Sequence, residues 1–272
     1  MNKIAILLTV YGGDKFENFV AALKSLYNQT YKEFDIFIQE DGPVNIEISN
    51  FLNEELKKSN IYYYGKRKIN LGFDYSLNEL ISIALEKGYE YIVRMDSDDI
   101  CCPERINSQY KFMKINQEID VCGMEIEEFG DNLIYKKIVS YPTSHEGMLL
   151  LFRKRVPIAH VTAFFRNTFF KKAGLYEVEG HLNNGDMLMW LKGFDKGCRF
   201  ANLNEVGVKV RVTKDFFNRR SGLKKAMSDF KNRLLVNKVL RFGFLAYLYA
   251  FLVFLLNISP AFVKVIAYKN LR

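Results

Sequence analysis

Four cysteines and three histidines are the only soft metal ligands in 272 residues besides methionine. Cys101, Cys102, Cys122 and Cys198 form no Cys-x-x-Cys pair and have too few histidines beside them for a zinc site. They read as reduced, mostly buried thiols, and no disulfide framework is implied. No internal repeat is present, and no low-complexity tract precedes the C-terminal apolar stretch. Met1-Asn2-Lys3 runs into an apolar segment too short for a signal peptide's hydrophobic region plus cleavage site, so the expectation is a chain working in the cytosol. Acidic charge is scarce at one end only. Residues 209 to 272 hold 14 basic and 2 acidic side chains, or +12, so the total of +8 leaves −4 for residues 1 to 208. An acidic first part disfavours nucleic-acid binding.

What is present is globular. A hydrophobic fraction of 49% with 15% aromatics excludes disorder, and the length fits one large domain or a domain with an appendage. Lys3 to Val10 is a continuous apolar run, as in a strand buried on both faces, ending in the turn Tyr11-Gly12-Gly13-Asp14. Phe19, Val20, Leu23 and Leu26 then recur at helical spacing, and Phe34 to Gln39 is a second strand closing in Glu40-Asp41-Gly42-Pro43. The alternation continues through a helix at Ile48 to Lys58, a strand at Ile61 to Tyr64, a loop at Lys66 to Gly72 and a helix at Tyr75 to Glu86. A strand at Tyr91 to Met95, a helix at Pro103 to Asn116 and a strand near Val121 to Glu127 follow. Strand–helix–strand repetition predicts a doubly wound, mostly parallel sheet. Between Ile134 and Phe165 the pattern dissolves into strands and loops, where specificity for a second substrate is expected.

The stretch Tyr91-Ile-Val-Arg-Met-Asp-Ser-Asp-Asp-Ile100 is the centre of the chain, because an apolar strand delivers three carboxylates to its carboxyl end, where open α/β sheets bind ligands. Their repulsion favours a cation between them. Asp96 and Asp98, alternate residues on extended backbone, project to the same side, whereas Asp99 fits a cap for the helix after Pro103. His160 sits in an apolar segment read as a strand, either a satisfied core residue or a site group. Asp186, in Asn183-Asn-Gly-Asp-Met-Leu-Met-Trp190, opens an apolar helix, either as a cap or as a general base kept ionised by the helix N-terminus.

The C-terminal tract speaks to location. Nothing between Arg241 and Lys264 is charged, and Phe242 to Ile258 approaches the ~20 residues of a spanning helix. Basic residues flank both sides: Lys238 and Arg241 before it, Lys264, Lys269 and Arg272 after it. The expectation is a monotopic or re-entrant helical hairpin bent at Pro260, with Lys224, Lys225, Lys231 and Arg233 on anionic headgroups at the cytoplasmic face of a bacterial inner membrane. A buried core or dimer helix is the alternative.

The order Thr9-Val10-Tyr11, Glu40-Asp41-Gly42-Pro43, Asn70-Leu71-Gly72 with Asn78, Met95-Asp-Ser-Asp-Asp99, then an aspartate shortly before a tryptophan, resembles the family-2 inverting glycosyltransferases of the GT-A fold. The bacterial enzymes of O-antigen and capsule synthesis are closest in look. The resemblance covers residues 1 to 220 and implies a nucleotide-sugar half, 1–116, an acceptor half, 117–220, and a membrane-associating remainder, 221–272. It implies that Thr9, Tyr11 and Asp41 hold the nucleobase, that Asn70, Gly72 and Asn78 line the nucleotide side, and that Asp96 with Ser97 contacts the ribose region. Asp96 and Asp98 would hold Mn or Mg on the diphosphate, and Asp186 would be the base. The family's usual Glu-Asp pair is here Gly185-Asp186, so its acidic neighbour is missing. His160, Arg219 and Arg220 are the candidates for acceptor or diphosphate contact. The implied donor is a UDP-hexose or UDP-HexNAc, the implied acceptor a polyprenyl-diphosphate-linked saccharide, and the implied product a β-linkage. Two other functions compete with this one. A nucleotidyltransferase expects a Lys- or Arg-bearing glycine loop after the first strand, where this chain has Asp14, and a non-enzymatic membrane-surface nucleotide- or lipid-binding protein would leave the acidic turn dispensable.

Overall fold

A computed structural model describes residues 3–58, 61–130, 137–178, 184–212 and 223–259. The first half follows the expected alternation: β1 (Ile4–Tyr11), α1 (Phe16–Tyr27), β2 (Phe34–Asp41), α2 (Ile46–Lys57), β3 (Tyr63–Lys66), α3 (Phe73–Glu86) and β4 (Tyr91–Met95). Alternate residues of β1 divide between two apolar layers. Ile4, Ile6, Leu8 and Val10 pack with Phe19, Leu23, Ile48 and Leu52 of α1 and α2, while Ala5 and Leu7 pack with Leu77, Leu80 and Ile81 of α3. A strand buried on both faces must be apolar throughout, and this one is.

The second half comprises β5 (Ile100–Cys101), α4 (Arg105–Ile115), β6 (Val121–Phe129), β7 (Lys137–Val139), α5 (His145–Phe152), β8 (Phe164–Arg166), α6 (Asn167–Ala173), α7 (Gly185–Asp195) and β9 (Phe200–Arg211). Strand order is β3-β2-β1-β4-β8-β6-β9-β5, with β7 on β6. The β3-β2-β1-β4 portion is parallel, as is β6 with β9, whereas β8 runs antiparallel to both of its neighbours, β4 and β6. The sheet is thus a parallel half joined to a mixed one. β1 lies between β2 and β4, so the chain departs from it in both directions and leaves a crevice at the carboxyl ends of β1 and β4.

Three local expectations are corrected. The stretch read as strands and loops contains α5, capped by Ser144, whose Oγ accepts from Gly147 N at 3.2 Å. His160 lies in a 3-10 turn, His160–Thr162, because Thr162 Oγ1 takes the Met124 N–H at 3.0 Å and bonds Ala159 O at 2.8 Å, closing the backbone instead of extending it. Asp99 does not cap the helix after Pro103; its Oδ1 accepts from Arg211 N at 2.7 Å and ties the acidic turn to β9.

Two helices follow the sheet. The basic helix Leu223–Val239 joins the second apolar layer through Val236 and Leu235. The apolar helix Phe244–Ile258 folds back on it, Phe230 stacking on Phe254 at 4.9 Å, after a turn at Arg241, whose φ is 55°. Fifteen residues span ~22 Å, short of a ~30 Å hydrocarbon core, and no helix among the described residues is long and apolar enough to cross a membrane. Pro260, the expected bend, lies outside the described residues.

Candidate active site

The crevice at the β1 and β4 ends is a cleft of about 530 Å³. Thr9 and Tyr11 come from β1, Asp41 from the end of β2, Asn70 and Gly72 from the loop before α3, and Asp96, Ser97, Asp98 and Asp99 from the turn after β4. Seven of the eight residues expected on the nucleotide side therefore meet in one place. Register makes this so: Tyr11 is opposite Asp41, so β1 and β2 end level, while β4 ends at Met95 opposite Leu8 and its acidic turn begins three residues lower, beside the last residues of β1.

The carboxylates divide into fasteners and a cluster. Asp41 accepts from Leu71 N at 2.8 Å through Oδ1 and from Gly72 N at 2.9 Å through Oδ2, while Arg67 donates to Oδ1 at 2.7 Å. It fixes the Asn-x-Gly loop against the cleft. Gly72 adopts φ +100°, a conformation that disfavours any side chain, and so presents bare backbone there. Asp96, Asp98 and Asp99 each offer a carboxylate oxygen, all within 4.8 Å of one another. Three hard oxygen donors with mutual repulsion fit a divalent cation of the magnesium or manganese kind. Burial first, and then the Asp96 charge, raise the Asp98 carboxyl above its ordinary range; Asp99 is raised further, by burial, Asp96 and Asp98.

Three charged residues in or directly behind this cleft escaped the sequence reading. Asp14 folds back so that Oδ2 accepts from Tyr11 N at 3.0 Å and Ser97 Oγ at 2.9 Å; burial, with lesser repulsion from Asp98 and Asp96, pushes it up to about 6. Arg94 donates to Asp96 and lies over the Phe73 ring at 4.9 Å. Arg211 donates through Nε to Asp98 O at 3.1 Å. Arg94 had a signal, since an arginine at the buried centre of an apolar strand needs a partner.

Asn78 is not in the cleft. Its side chain clamps residue 176, donating to Tyr176 O at 2.7 Å and accepting from Tyr176 N at 2.8 Å. Tyr176 in turn bonds His160 Nε2 at 2.7 Å, and His160 packs edge-on against Phe73 and Trp190. Burial and the Arg94 charge hold this imidazole well below its ordinary pKa, so it is neutral. His160 is a satisfied packing residue beneath Phe73. Arg219 and Arg220 lie outside the described residues.

Asp186 belongs to a second cavity of about 340 Å³ between α5, α7 and the basic helix. It stands in the first turn of α7, behind the cap position Asn184, and its Oδ1 accepts from Met187 N at 2.7 Å. The adjoining Gly185 is filled from outside. Asp74, in the first turn of α3, brings its carboxylate so close that a β-carbon on Gly185 would overlap Oδ2 and sit 2.7 Å from Cγ. Burial, then the Asp186 charge, raise the Asp74 carboxyl. Sequence reasoning missed Asp74 because an aspartate at a helix start reads as a cap.

A model of glycosyl transferase family 2 matches residues 6–174. The amylovoran biosynthesis glycosyltransferase AmsE of Erwinia amylovora is 31% identical over 219 residues, covering 80% of this chain and 79% of the relative. An Escherichia coli UDP-Gal:alpha-D-GlcNAc-diphosphoundecaprenol beta-1,3-galactosyltransferase is 28% identical over 232 residues, 84% of this chain and 81% of its own. Among solved structures, S. aureus TarS 1-349 in complex with UDP-GlcNAc superposes with a TM-score of 0.63 at 16% identity, covering 97% of this chain and 83% of TarS 1-349. The mannosyltransferase PcManGT from Pyrobaculum calidifontis, in complex with GDP-Man and Mn2+, gives 0.63 at 12% identity over 99% of this chain and 79% of its own. These structures share the GT-A-like α/β fold. With its family model spanning more than half the residues, the chain belongs to glycosyl transferase family 2.

Proposed function

We propose that this glycosyltransferase moves a sugar from a UDP-sugar to a saccharide carried on a lipid diphosphate, with inversion to a β-linkage, in bacterial cell-surface polysaccharide synthesis. One observation carries the reading. Successive residues Phe73 and Asp74 join the acidic cleft to the carboxylate pair: Phe73 lines the cleft, and Asp74 abuts Gly185 beside Asp186. A donor held in the first and an acceptor hydroxyl held at the second would meet across that step.

The roles follow from the chemistry of each group. Thr9, Tyr11 and the loop held by Asp41 take the nucleoside, with residues 1–116 as the donor half and 117–220 as the acceptor half. Asp96 and Asp98, joined by Asp99, would hold the divalent cation, whose chemistry is to neutralise charge on the departing diphosphate. Asp186 takes the acceptor proton. The N-terminal end of α7 suits a carboxylate there, and Asp74, whose carboxyl is raised by burial and by the Asp186 charge, stands beside it as the group that orients it. Attack opposite the nucleotide inverts the anomeric centre in one displacement, with no covalent sugar–enzyme species. The similarity to the galactosyltransferase that uses a diphosphoundecaprenol-linked acceptor supports the substrate class.

Location at a membrane surface rests on the apolar helix. Its outward stripe leaves Phe244 78%, Leu245 75% and Leu252 54% exposed, a face that suits the headgroup boundary. The test is purified protein with radiolabelled UDP-sugars and a synthetic glycosyl-diphosphate-lipid, followed by NMR of the anomeric proton. A β-linked product from one UDP-sugar is expected. Transfer only from GDP-sugars, or an α-linked product, would overturn the proposal.

A further inference from the structure

The second cavity carries more than the base. Asn232 and Asn237 of the basic helix line it, each 1% exposed, and neither Nδ2 nor Oδ1 of either amide has a hydrogen-bond partner among the described residues. Leaving a buried donor or acceptor unpaired is costly, so four such atoms around one cavity call for a polar occupant. The same wall holds Arg153, Arg155, Lys225 and Arg233 against the carboxylates of Asp186 and Asp229. Lys225 is spent on Asp229 at 2.7 Å. The three arginines have no carboxylate partner among the described residues: Arg155 donates to Ser140 O at 2.8 Å, Arg153 to Leu150 O at 3.3 Å, and Arg233 to Lys154 O. Burial lowers the Arg233 pKa, and the Tyr249 and Asp229 charges only partly oppose it. Lys225 and Arg233 had been expected on lipid headgroups; both instead turn into this cavity.

We propose that this cavity binds the glycosyl diphosphate of the acceptor, the arginines taking the phosphates and Asn232 and Asn237 the adjoining sugar. The inference rests on the acceptor class argued above and assigns it a site. Guanidinium pairs phosphate oxygens through two parallel donors, which suits a diphosphate. Phosphate oxygens are acceptors only and satisfy Nδ2, whereas Oδ1 needs a donor. A sugar hydroxyl is both, so a sugar satisfies the amides where a bare phosphate cannot, and the phosphates fall to the arginines. The sugar would then lie in the cavity that Asp186 also lines. The lipid has a way out, since Arg153 lies over Phe242 at 5.9 Å and Arg233 over Tyr249 at 5.7 Å, which leads from the cations to the apolar helix.

The test uses the full chain in detergent with UDP and Mg2+ saturating the donor cleft, and follows thermal stabilisation and calorimetric binding of two probes. One is inorganic pyrophosphate; the other is N-acetylglucosaminyl diphosphate esterified to a short alkyl chain. The glycosyl diphosphate should bind at least tenfold more tightly than pyrophosphate. Asn232→Leu, which removes two unpaired groups at similar volume, should fold as well as the parent and bind the glycosyl diphosphate at least tenfold more weakly. Arg155→Ala, at an exposed position, should weaken both probes to a similar extent, with UDP binding unchanged in both variants. Equal binding of the two probes with Asn232→Leu unaffected would mean an anion site only and overturns the assignment, as does water alone filling the cavity, seen as no binding of either probe. Loss of anionic-vesicle sedimentation in Arg155→Ala with probe binding intact would place the arginine on a lipid headgroup and also overturns it. If UDP itself fails to bind the parent protein, the donor reading fails instead, a distinct outcome.

Discussion

Asp74 Oδ2 stands where a β-carbon on Gly185 would be, so the carboxylate of one helix occupies the side-chain space of another. The sequence shows a missing acid beside Asp186, and the fold supplies one from α3, more than a hundred residues earlier.

This relationship predicts a reciprocal pair of variants. Asp74→Gly should lower kcat about 10- to 100-fold while leaving UDP binding intact, because it removes the orienting acid and not the donor cleft. Gly185→Glu alone should be worse, since its side chain meets Asp74 and adds a like charge. Combined, the two should regain activity over either single change. Steady-state kinetics of the four proteins decides it, and simple additivity of the losses would show that Asp74 does not stand in for the absent residue.

Removing Asp98 should separate stability from catalysis. Its carboxyl is raised by burial and by Asp96, so the apo protein holds it at a cost. Asp98→Ala should leave the apo melting temperature unchanged or higher and should reduce transfer by a factor of a thousand or more. EDTA should act alike on the parent protein, with activity returning on Mn2+ or Mg2+ addition. Full activity in EDTA would remove the cation from the account.

The same groups set a pH dependence. Asp14 has an ordinary pKa of 3.8 and stands at about 6 when folded, with Asp98 and Asp99 raised as well. An acid raised on folding destabilises the folded state once it ionises. The metal-free protein should therefore lose stability as pH rises from about 4 to about 6, and the loss should persist above that window. Divalent cations should offset it at neutral pH and have little effect near pH 4, where the carboxyls are protonated. Chemical denaturation at fixed pH values, with and without Mg2+, measures both arms.

The parallel half was legible because buried strands and amphipathic helices write their period into the chain: β1, α1 and β2 begin and end within a few residues of their apolar patterns. The acidic turn was legible because consecutive carboxylates after a strand have few other uses. What the sequence hid were pairings across distance. Asn78, expected on the nucleotide side, clamps Tyr176; Asp41, expected on the nucleobase, holds Leu71 and Gly72; Asp74, which no motif singles out, abuts Gly185. A short polar side chain has the same local signature in all these roles, and only the fold chooses between them. Position 160 was misjudged for another reason, since the Thr162 hydroxyl, and not hydrophobic period, decides the turn there.

Membrane contact by the apolar helix is tested by substitution and not by truncation. Cutting the chain near Lys238 would remove the helix and also uncover Phe230, which stacks on Phe254, so misfolding and loss of membrane contact would be confounded. Substitution on the outward stripe avoids this. Leu248 and Leu252 are 41% and 54% exposed, whereas Ala246 and Ala250 face the basic helix and are buried. Leu248→Glu with Leu252→Glu should leave the melting temperature within a few degrees of the parent. Each leucine contributes ~1 kcal/mol of transfer from water, and each carboxylate opposes entry to an anionic surface. Partition onto phosphatidylglycerol vesicles should fall at least thirtyfold, a change of ~2 kcal/mol. Transfer to a short-chain acceptor in detergent should persist, while transfer to a long polyprenyl acceptor in vesicles should drop with binding. If vesicle sedimentation is unchanged in the double variant, the stripe faces something other than lipid, and a concentration-dependent rise in the parent's molecular mass, absent from the variant, would identify it as a contact between copies of the chain.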